Sequence, residues 1–214
     1  MTTRSQPLFQ HALGDAAWNR LAPAVRRHYS LSATLAETRT LPGIMEEIVH
    51  APIIKPLLLV AQAFDALVPQ RGRDVPVEVR NWTDPAKPRT LFWHRTFRFP
   101  DGRTSIFRSR MEPGGPGEII ELLRFGVGIR MRVEESNGAL VYMALEHCWK
   151  IGPWRLGIPN WALLGTATIV EKAISDHELR LDFAIEHPLF GRTFGYCGRF
   201  ALSNGGDCPE RDGV

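Results

Sequence analysis

The spacing of apolar residues changes along the chain, from a helical period in the first third to a period of two afterwards. The apolar residues of HALGDAAWNRL at 11–21 fall on one helix-like face. The apolar stretch IIKPLLLVAQAFDALV at 53–68 predicts a further helix, behind a turn-rich stretch at 40–52. This apolar stretch is too short to span a bilayer. The pattern therefore predicts a helical N-terminal segment over residues 1–72.

From Val75 onward, apolar and polar residues alternate, which predicts β-strands. Asp-Gly at 101–102 and Asn-Gly at 137–138 mark tight hairpin turns. Eight or nine antiparallel strands result, and a meander of that length usually curls up to protect its edges. Residues 73–203 are thus predicted to form a strongly curved antiparallel sheet, a lipocalin-like closed or partly open barrel. The fold class is α+β, with the N-terminal helices packed on the barrel in one folding unit and a flexible tail at 204–214.

Composition narrows the class of protein. The 214 residues are 44% hydrophobic and 23% charged, with a formal net charge of +3, which is typical of a globular chain. The arginines are dispersed among acidic residues, so no nucleic-acid partner is predicted. The three cysteines lack CxxC spacing and the first residues lack an apolar signal segment, so a reducing cytoplasm is the predicted location.

The sequence fingerprints of cofactor and metal sites are missing. The Gly-Val-Gly at 126–128 lacks the third glycine of a dinucleotide loop, and the sequence contains no Walker loop and no HExxH. Glu47 and His50 have the spacing of half a di-metal site, but no second half-site follows. Neither a cofactor nor a metal is therefore predicted.

Four polar residues fall in phase with the apolar face of the predicted strands: Arg95, His147, His187 and Tyr196. Buried polar groups cost about 1–3 kcal/mol each when they have no partner. These residues either satisfy one another at the barrel ends or line a pocket, and both interpretations are open. Glu121, by contrast, is expected to be solvated.

A pocket among these residues would suit two activities. The first is the binding of an apolar or amphipathic small molecule with an acidic or carbonyl head near Arg95. The second is a cofactor-free enzyme of the cyclase, isomerase or hydrolase type, with His147, His187 and Tyr196 as candidate acid–base groups. The predicted ligand-binding residues are Arg95, Trp93, Phe97, Met143, Trp149, Phe183 and Phe194.

Three stretches together resemble a known family. They are VPVEVRNWTD…LFWHRTFRF at 75–99, GALVYMALEHCWKIGPWRLGIPNWALLG at 138–165 and EHPLFGRTFGYCGRF at 186–200. In order and spacing they are similar to an uncharacterised bacterial domain family of unknown function, often fused C-terminal to a saccharopine-dehydrogenase-like NAD-binding domain. The most specific part is the HPLFG…Y-x-G-x-F pattern from His187 to Phe200.

The resemblance implies a stand-alone form of that domain, and it carries no established catalytic residue. It adds a third hypothesis, an interaction domain that accompanies a dehydrogenase-like partner. In that case the 53–68 helix would face the partner or a second copy in a homodimer. The first interpretation of this helix is a place in the core, and peripheral contact with a membrane surface is a further alternative.

Overall fold

The computed structural model describes residues 6–32, 35–62 and 64–202, and the predicted tail at 204–214 lies outside them. The helices are α1 (Leu8–Arg20), α2 (Pro23–His28) and α3 (Lys55–Gln62), with single 3₁₀ turns at Pro52–Ile54, Arg124–Gly126 and Asn160–Ala162. The strands are β1 (Thr38–His50), β2 (Gly72–Thr83), β3 (Leu91–Arg98), β4 (Thr104–Pro113), β5 (Glu118–Leu122), β6 (Val127–Ser136), β7 (Ala139–Ile151), β8 (Trp154–Ile158), β9 (Thr166–Ser175), β10 (Glu178–His187) and β11 (Gly191–Ala201).

Ten of these strands close into a barrel in which neighbours are antiparallel. Their order is β6-β5-β4-β3-β2-β1-β11-β10-β9-β7, and the pairing of β6 with β7 closes the ring. Strand β8 stays outside, because it pairs with the second half of β7 whereas β9 pairs with the first half. The predicted antiparallel barrel is confirmed, but the predicted number of eight or nine strands was too low.

Strand β1 lies in the stretch at 40–52 that was predicted to be rich in turns. It pairs with β2 on one side and β11 on the other, so it joins the two halves of the barrel. Its buried residues Leu41, Met45 and Ile48 are spaced by four and then three, because a bulge follows Met45. The bulge hides the period of two, and a Pro-Gly pair gives the stretch a turn-like composition. The turn prediction was wrong, and the N-terminal 1–72 segment contains a barrel strand as well as helices.

Helices α1 and α2 close one end of the barrel, which we name the helix end. Helix α1 packs against β6 and α2 against β9 and β10. The Ala22 N–H donates to the Gly138 carbonyl in the β6–β7 turn at 2.9 Å. Phe9 is fully buried, with its ring centre 4.3 Å from that of Tyr29 and 5.6 Å from that of Tyr142. Burial of such a side chain contributes about 1.5–3 kcal/mol, so the helices complete the core at this end.

The opposite end, which we name the loop end, consists of the segments 51–71, 99–103, 123–126, 152–165 and 188–190. Helix α3 lies in the first of these segments and ends at Gln62, earlier than the predicted 68. Leu58 is fully buried, but Leu59 and Val60 are 54% and 58% exposed. The helix is therefore a half-exposed cap and only partly a core element. Within the described residues, no helix combines the length and the apolar character needed to cross a bilayer.

Candidate functional site

A cavity of about 330 Å³ lies in the half of the barrel nearer the loop end. Leu57 and Val60 of α3 form part of its wall, together with Leu163 of the β8–β9 connection. The barrel strands add apolar side chains such as Phe107, Ile129, Met131, Ile169, Phe183 and Ile185. This volume and this apolar lining are typical of small-molecule sites, which span roughly 300–1,000 Å³.

Four ionisable side chains interrupt the apolar wall: Arg95 of β3, Glu121 of β5, His147 of β7 and Tyr196 of β11. The pleat of the strands turns them inward. In β3, for example, the side chains two residues before and after Arg95 are buried. The wall therefore carries a few polar groups on rigid strands, as small-molecule sites commonly do.

Arg95 and Glu121 form an ion pair inside the barrel, with 3.4 Å between guanidinium nitrogen and carboxylate oxygen. The Ser109 hydroxyl donates to the Glu121 carboxylate at 2.6 Å and accepts from Arg95 at 3.2 Å. The guanidinium carbon lies 4.6 Å from the ring centre of Trp93 and 4.5 Å from that of Phe107. The charge of Arg95 is thus held in one place and neutralised by Glu121.

Tyr196 presents a protonated hydroxyl to the cavity. Burial raises the pKa of this phenol to about 12, while Arg95 lowers it and the carboxylates Glu121 and Glu171 raise it. Its ring packs against Phe183, with centroids 4.8 Å apart. The hydroxyl makes no hydrogen bond to any residue in the described part of the chain. Tyr196 is therefore a fixed donor with unused hydrogen-bonding capacity.

His147 is the fourth polar group of the wall. Burial lowers the pKa of its imidazole, and a hydrogen bond with the Gly165 backbone acts in the opposite direction. Its Nε2 atom is buried and has no hydrogen-bond partner within the described residues. The ring is accordingly neutral near pH 7, with one nitrogen free to contact a ligand.

A second cavity, of about 40 Å³, adjoins the first on the side of the helix end. Arg95, Ile169 and Tyr196 line both cavities. Tyr142 and Glu171 add polar groups to the smaller one. A space of this size with several polar groups in its wall suits one or two ordered water molecules.

Glu171 is the acidic group of this smaller cavity. Burial raises its pKa to about 7, against the lowering effects of a hydrogen bond from Tyr29 and of the Arg95 charge, while Glu121 raises it further. The Tyr142 hydroxyl donates to the Tyr29 hydroxyl at 2.5 Å, so a short chain of hydrogen bonds leads to the carboxylate. Glu171 keeps some accessible surface, but it lines the cavity, so that surface faces the barrel interior.

His28 of α2 lies against the same cavity. Burial lowers the pKa of its ring to about 3, and the charges of Arg39 and Arg95 lower it further. Its Nε2 lies 3.5 Å from the Asn81 side-chain nitrogen. His28 is therefore neutral near pH 7.

A family model described as a domain of unknown function, DUF4166, matches residues 21–200. The chain belongs to the DUF4166 family. The match begins after α1 and includes α2, all the barrel strands up to Phe200 and both cavities. No curated protein matches the chain.

His187 lies outside both cavity walls of this DUF4166 domain. Its Nε2 donates to the Trp161 carbonyl at 2.8 Å, and its Nδ1 accepts from the Leu189 N–H at 3.1 Å. Its ring stacks on Phe190 at 4.7 Å. Both nitrogens are used by the backbone, so His187 holds two loop-end segments together and has no nitrogen left for chemistry.

The predicted ligand-binding residues are divided between the walls and the core. Arg95 and Phe183 line the large cavity, and Trp93 lines the small one. Outside both walls lie Phe97 and Phe194, which are fully buried, Met143, which is half-buried, and Trp149, which is 43% exposed.

Met143 was predicted to face inward but lies on the outer face of β7, because the strand contains a bulge. Before the bulge, Leu140, Tyr142 and Ala144 face inward, so Met143 lies on the other face. The register with β6 then slips by one residue, and His147 beyond the slip faces the cavity. The predicted phase of the strand was therefore wrong for Met143.

Two functional candidates escaped the sequence analysis, Glu121 and Glu171. The expectation that Glu121 is solvated was wrong, because it is 6% exposed and paired with Arg95. A period-two signal existed for both, since Glu121 follows the buried Ile119 by two residues and Glu171 follows the partly buried Ile169 by two. Across the described residues, no group of three or more His, Cys, Asp or Glu is placed to hold a metal ion.

Proposed function

We propose that the barrel binds an apolar or amphipathic small molecule whose polar head is a neutral carbonyl or hydroxyl group. The supporting observation is the cavity of about 330 Å³, whose apolar wall is interrupted by Arg95, Glu121, His147 and Tyr196. The apolar wall would bury the body of the ligand. Because Arg95 and Tyr196 stand where the two cavities meet, the head would lie there.

The charge balance of the site favours a neutral head over an acidic one. Arg95 is already neutralised by Glu121, and Glu171 carries a partial negative charge near pH 7. A ligand carboxylate would add a second negative charge to a water-poor space, which is costly. A carbonyl oxygen accepts from Arg95 or from the Tyr196 hydroxyl without that penalty.

The head-group preference can be tested with matched ligands. Purified protein is loaded with the neutral fluorophore N-phenyl-1-naphthylamine, which is then displaced by 2-decanone or by decanoate at pH 7. The ketone is expected to displace the probe at a concentration at least about tenfold lower, a difference of about 1.4 kcal/mol. If the protein never binds the probe, the cavity is not a ligand site. If decanoate binds more tightly, the proposed head is wrong.

Two tyrosines provide a matched pair of variants. Tyr196→Phe removes a hydroxyl that has no partner among the described residues, so it should weaken 2-decanone binding about tenfold with little loss of stability. Tyr142→Phe removes a hydroxyl that bonds to Tyr29 away from the large cavity, so it should lower stability and leave the affinity unchanged. Equal affinities in the two variants would argue against a head group beside Tyr196.

A second candidate function is acid–base catalysis on a carbonyl compound, without a cofactor. It is favoured by one observation: the free Nε2 of His147 and the Tyr196 hydroxyl line the same cavity as Arg95. His147 would take a proton from the carbon beside the carbonyl and return it to another carbon, while Arg95 stabilises the enolate oxygen.

Deuterium exchange separates this candidate from simple binding. In D₂O, an enzyme of this type catalyses exchange of the protons beside the carbonyl of 2-decanone, and His147→Gln abolishes the catalysis. If exchange is no faster than in buffer while the ketone binds normally, acid–base catalysis is excluded and ligand binding remains as the proposed function.

A further inference from the structure

The exposed large apolar side chains of the described residues gather at the loop end. Apart from Leu35, Ile44 and Ile174, all of them lie in its segments or in the adjoining last residues of strand β7. The most exposed are Leu189 at 82%, Trp154 at 79%, Trp161 at 66%, Phe125 at 65% and Ile53 at 62%. A soluble surface rarely concentrates apolar side chains in this way without a binding role.

Contacts between the segments make this surface continuous. The Phe64 ring behind α3 meets the Phe125 ring at 5.7 Å. The Trp149 indole N–H donates to the Phe125 carbonyl at 3.0 Å, and Trp149 pairs with Leu156 across β7 and β8. Trp161 is tied to the β10–β11 turn through His187. We name this surface the apolar rim, defined by Ile53, Leu59, Val60, Trp154, Trp161 and Leu189.

Positive charge borders the apolar rim. The loop-end segments contain Lys55, Arg71, Arg103, Arg124 and Arg155, against two carboxylates. Both carboxylates are already paired, one with Arg103 and the other with a β4 arginine. Lys55, Arg124 and Arg155 make no ion pair with any described residue. Arg71 likewise makes no ion pair with a described residue, but it donates to the His50 backbone carbonyl, so Lys55, Arg124 and Arg155 are the cations that remain for the negative groups of a partner.

An anionic bilayer surface matches this combination better than a second copy does. Tryptophan is enriched where proteins meet the membrane interface, and Trp154 and Trp161 are among the most exposed residues of the apolar rim. Arginine and lysine beside such residues attract anionic lipid headgroups. A symmetric dimer through the same end would place like charges against each other, which is unfavourable.

We propose that the loop end docks on a bilayer surface that contains anionic lipids. The apolar rim enters the headgroup region, and Lys55, Arg124 and Arg155 contact lipid phosphates or carboxylates. Helix α3 contributes both to the rim and to the cavity wall, through Val60. An apolar ligand can then pass between bilayer and cavity at α3. The docking stands on the surface alone, whereas the passage rests on the proposed function.

Vesicle flotation tests the docking. The full chain is mixed with vesicles of phosphatidylcholine alone, or with phosphatidylserine as about one third of the lipid. The protein should float with the anionic vesicles and dissociate as salt rises. Brominated lipids should quench tryptophan fluorescence, because the rim tryptophans enter the lipid.

Three double variants sharpen the test. Trp154→Ala with Trp161→Ala should weaken vesicle binding by about tenfold or more. Arg124→Ala with Arg155→Ala should weaken it by about twenty-fivefold, at about fivefold for each cation. The control, Lys172→Ala with Ile174→Ala, removes an exposed cation and an exposed apolar side chain from the barrel flank and should bind as the unchanged protein does. Because all these side chains are exposed, the urea midpoint should stay within the error of the measurement.

The outcomes are distinct from those of the ligand test. Absence of binding to anionic vesicles at low salt, or equal weakening by the flank control, overturns the docking. A dimer in light scattering that the rim variants turn into a monomer also overturns it, in favour of a second copy. Displacement of N-phenyl-1-naphthylamine by 2-decanone without vesicles should be unchanged in the rim variants, so the two proposals fail separately.

Discussion

Glu171 makes the stability of the barrel depend on pH in an unusual direction. Its pKa is about 7 in the fold, above the usual 4.5, chiefly because of burial. Between these two pH values the folded state binds more protons than the unfolded state, so the free energy of unfolding falls as pH rises. The contribution is fully present below pH 4.5 and is lost as pH rises through about 7. Glu171→Gln removes this dependence, because the amide does not titrate.

The size of the effect follows from the two pKa values. At about 1.4 kcal/mol for each pH unit, the interval from 4.5 to 7 corresponds to about 3 kcal/mol. His28 acts in the opposite direction, since burial lowers its pKa from 6.5 to about 3 and stability therefore rises with pH across that interval. The two residues oppose each other between pH 4.5 and 6.5, so the unchanged protein should show a shallow profile. The difference between Glu171→Gln and the unchanged protein removes the contribution of His28.

Urea unfolding followed by tryptophan fluorescence measures this difference at several pH values from 4.5 to 8. The free energy of unfolding of Glu171→Gln should rise by about 3 kcal/mol relative to the unchanged protein across this range, whatever the constant offset from the lost carboxyl. Glu134→Gln, on the exposed face of β6, is the control and should give a flat difference. A flat difference for Glu171→Gln as well would refute the burial argument for this carboxyl.

Further variants test other parts of the structure. In a double-mutant cycle, Tyr29→Phe and Tyr142→Phe should each cost about 1 kcal/mol in urea unfolding and together less than the sum, because they share one hydrogen bond. Gly165→Ala should cost more than about 2 kcal/mol, since its φ is +112° and a Cβ would overlap a backbone carbonyl of β10, whereas Gly152→Ala, at a φ of +57° in open space, should cost about 1 kcal/mol. His187→Ala should lower the melting temperature by calorimetry while leaving displacement of the fluorophore by 2-decanone unchanged.

Much of the barrel could be predicted because its strands are half-buried. One face packs inward and the other meets solvent, so the period of two and the Asn-Gly and Asp-Gly turns carry most of the topology. The failures lie where the period breaks. Strand β1 contains a bulge and a Pro-Gly pair. Strand β8 is exposed on both faces, so its sequence lacks the alternation of apolar and polar residues that identifies a strand. The number of strands in the ring depends on such segments.

The candidate site was predicted in part for the same reason. Arg95 and Tyr196 could be placed on the inward face because the residues two positions to either side of each are buried, Trp93 and Phe97 in β3 and Phe194 and Gly198 in β11. Met143 could not be placed, since the slip in β7 is set by its pairing with β6 and leaves no mark in the residues themselves. The partnership of Arg95 with Glu121 joins strands that are not adjacent in the ring, and a single sequence does not contain that information.

The polar groups of the barrel interior are difficult to explain by stability alone. A buried ion pair such as Arg95–Glu121 is often no more stabilising than apolar residues of similar volume. The smaller cavity is polar enough for ordered water to satisfy its groups. The larger cavity is mostly apolar, so water would be held weakly there, yet His147 and Tyr196 direct unused hydrogen-bonding capacity into it. A ligand with an apolar body and one polar head would contact the apolar lining and also form hydrogen bonds with the polar groups. This favours a ligand-binding barrel over a purely structural one.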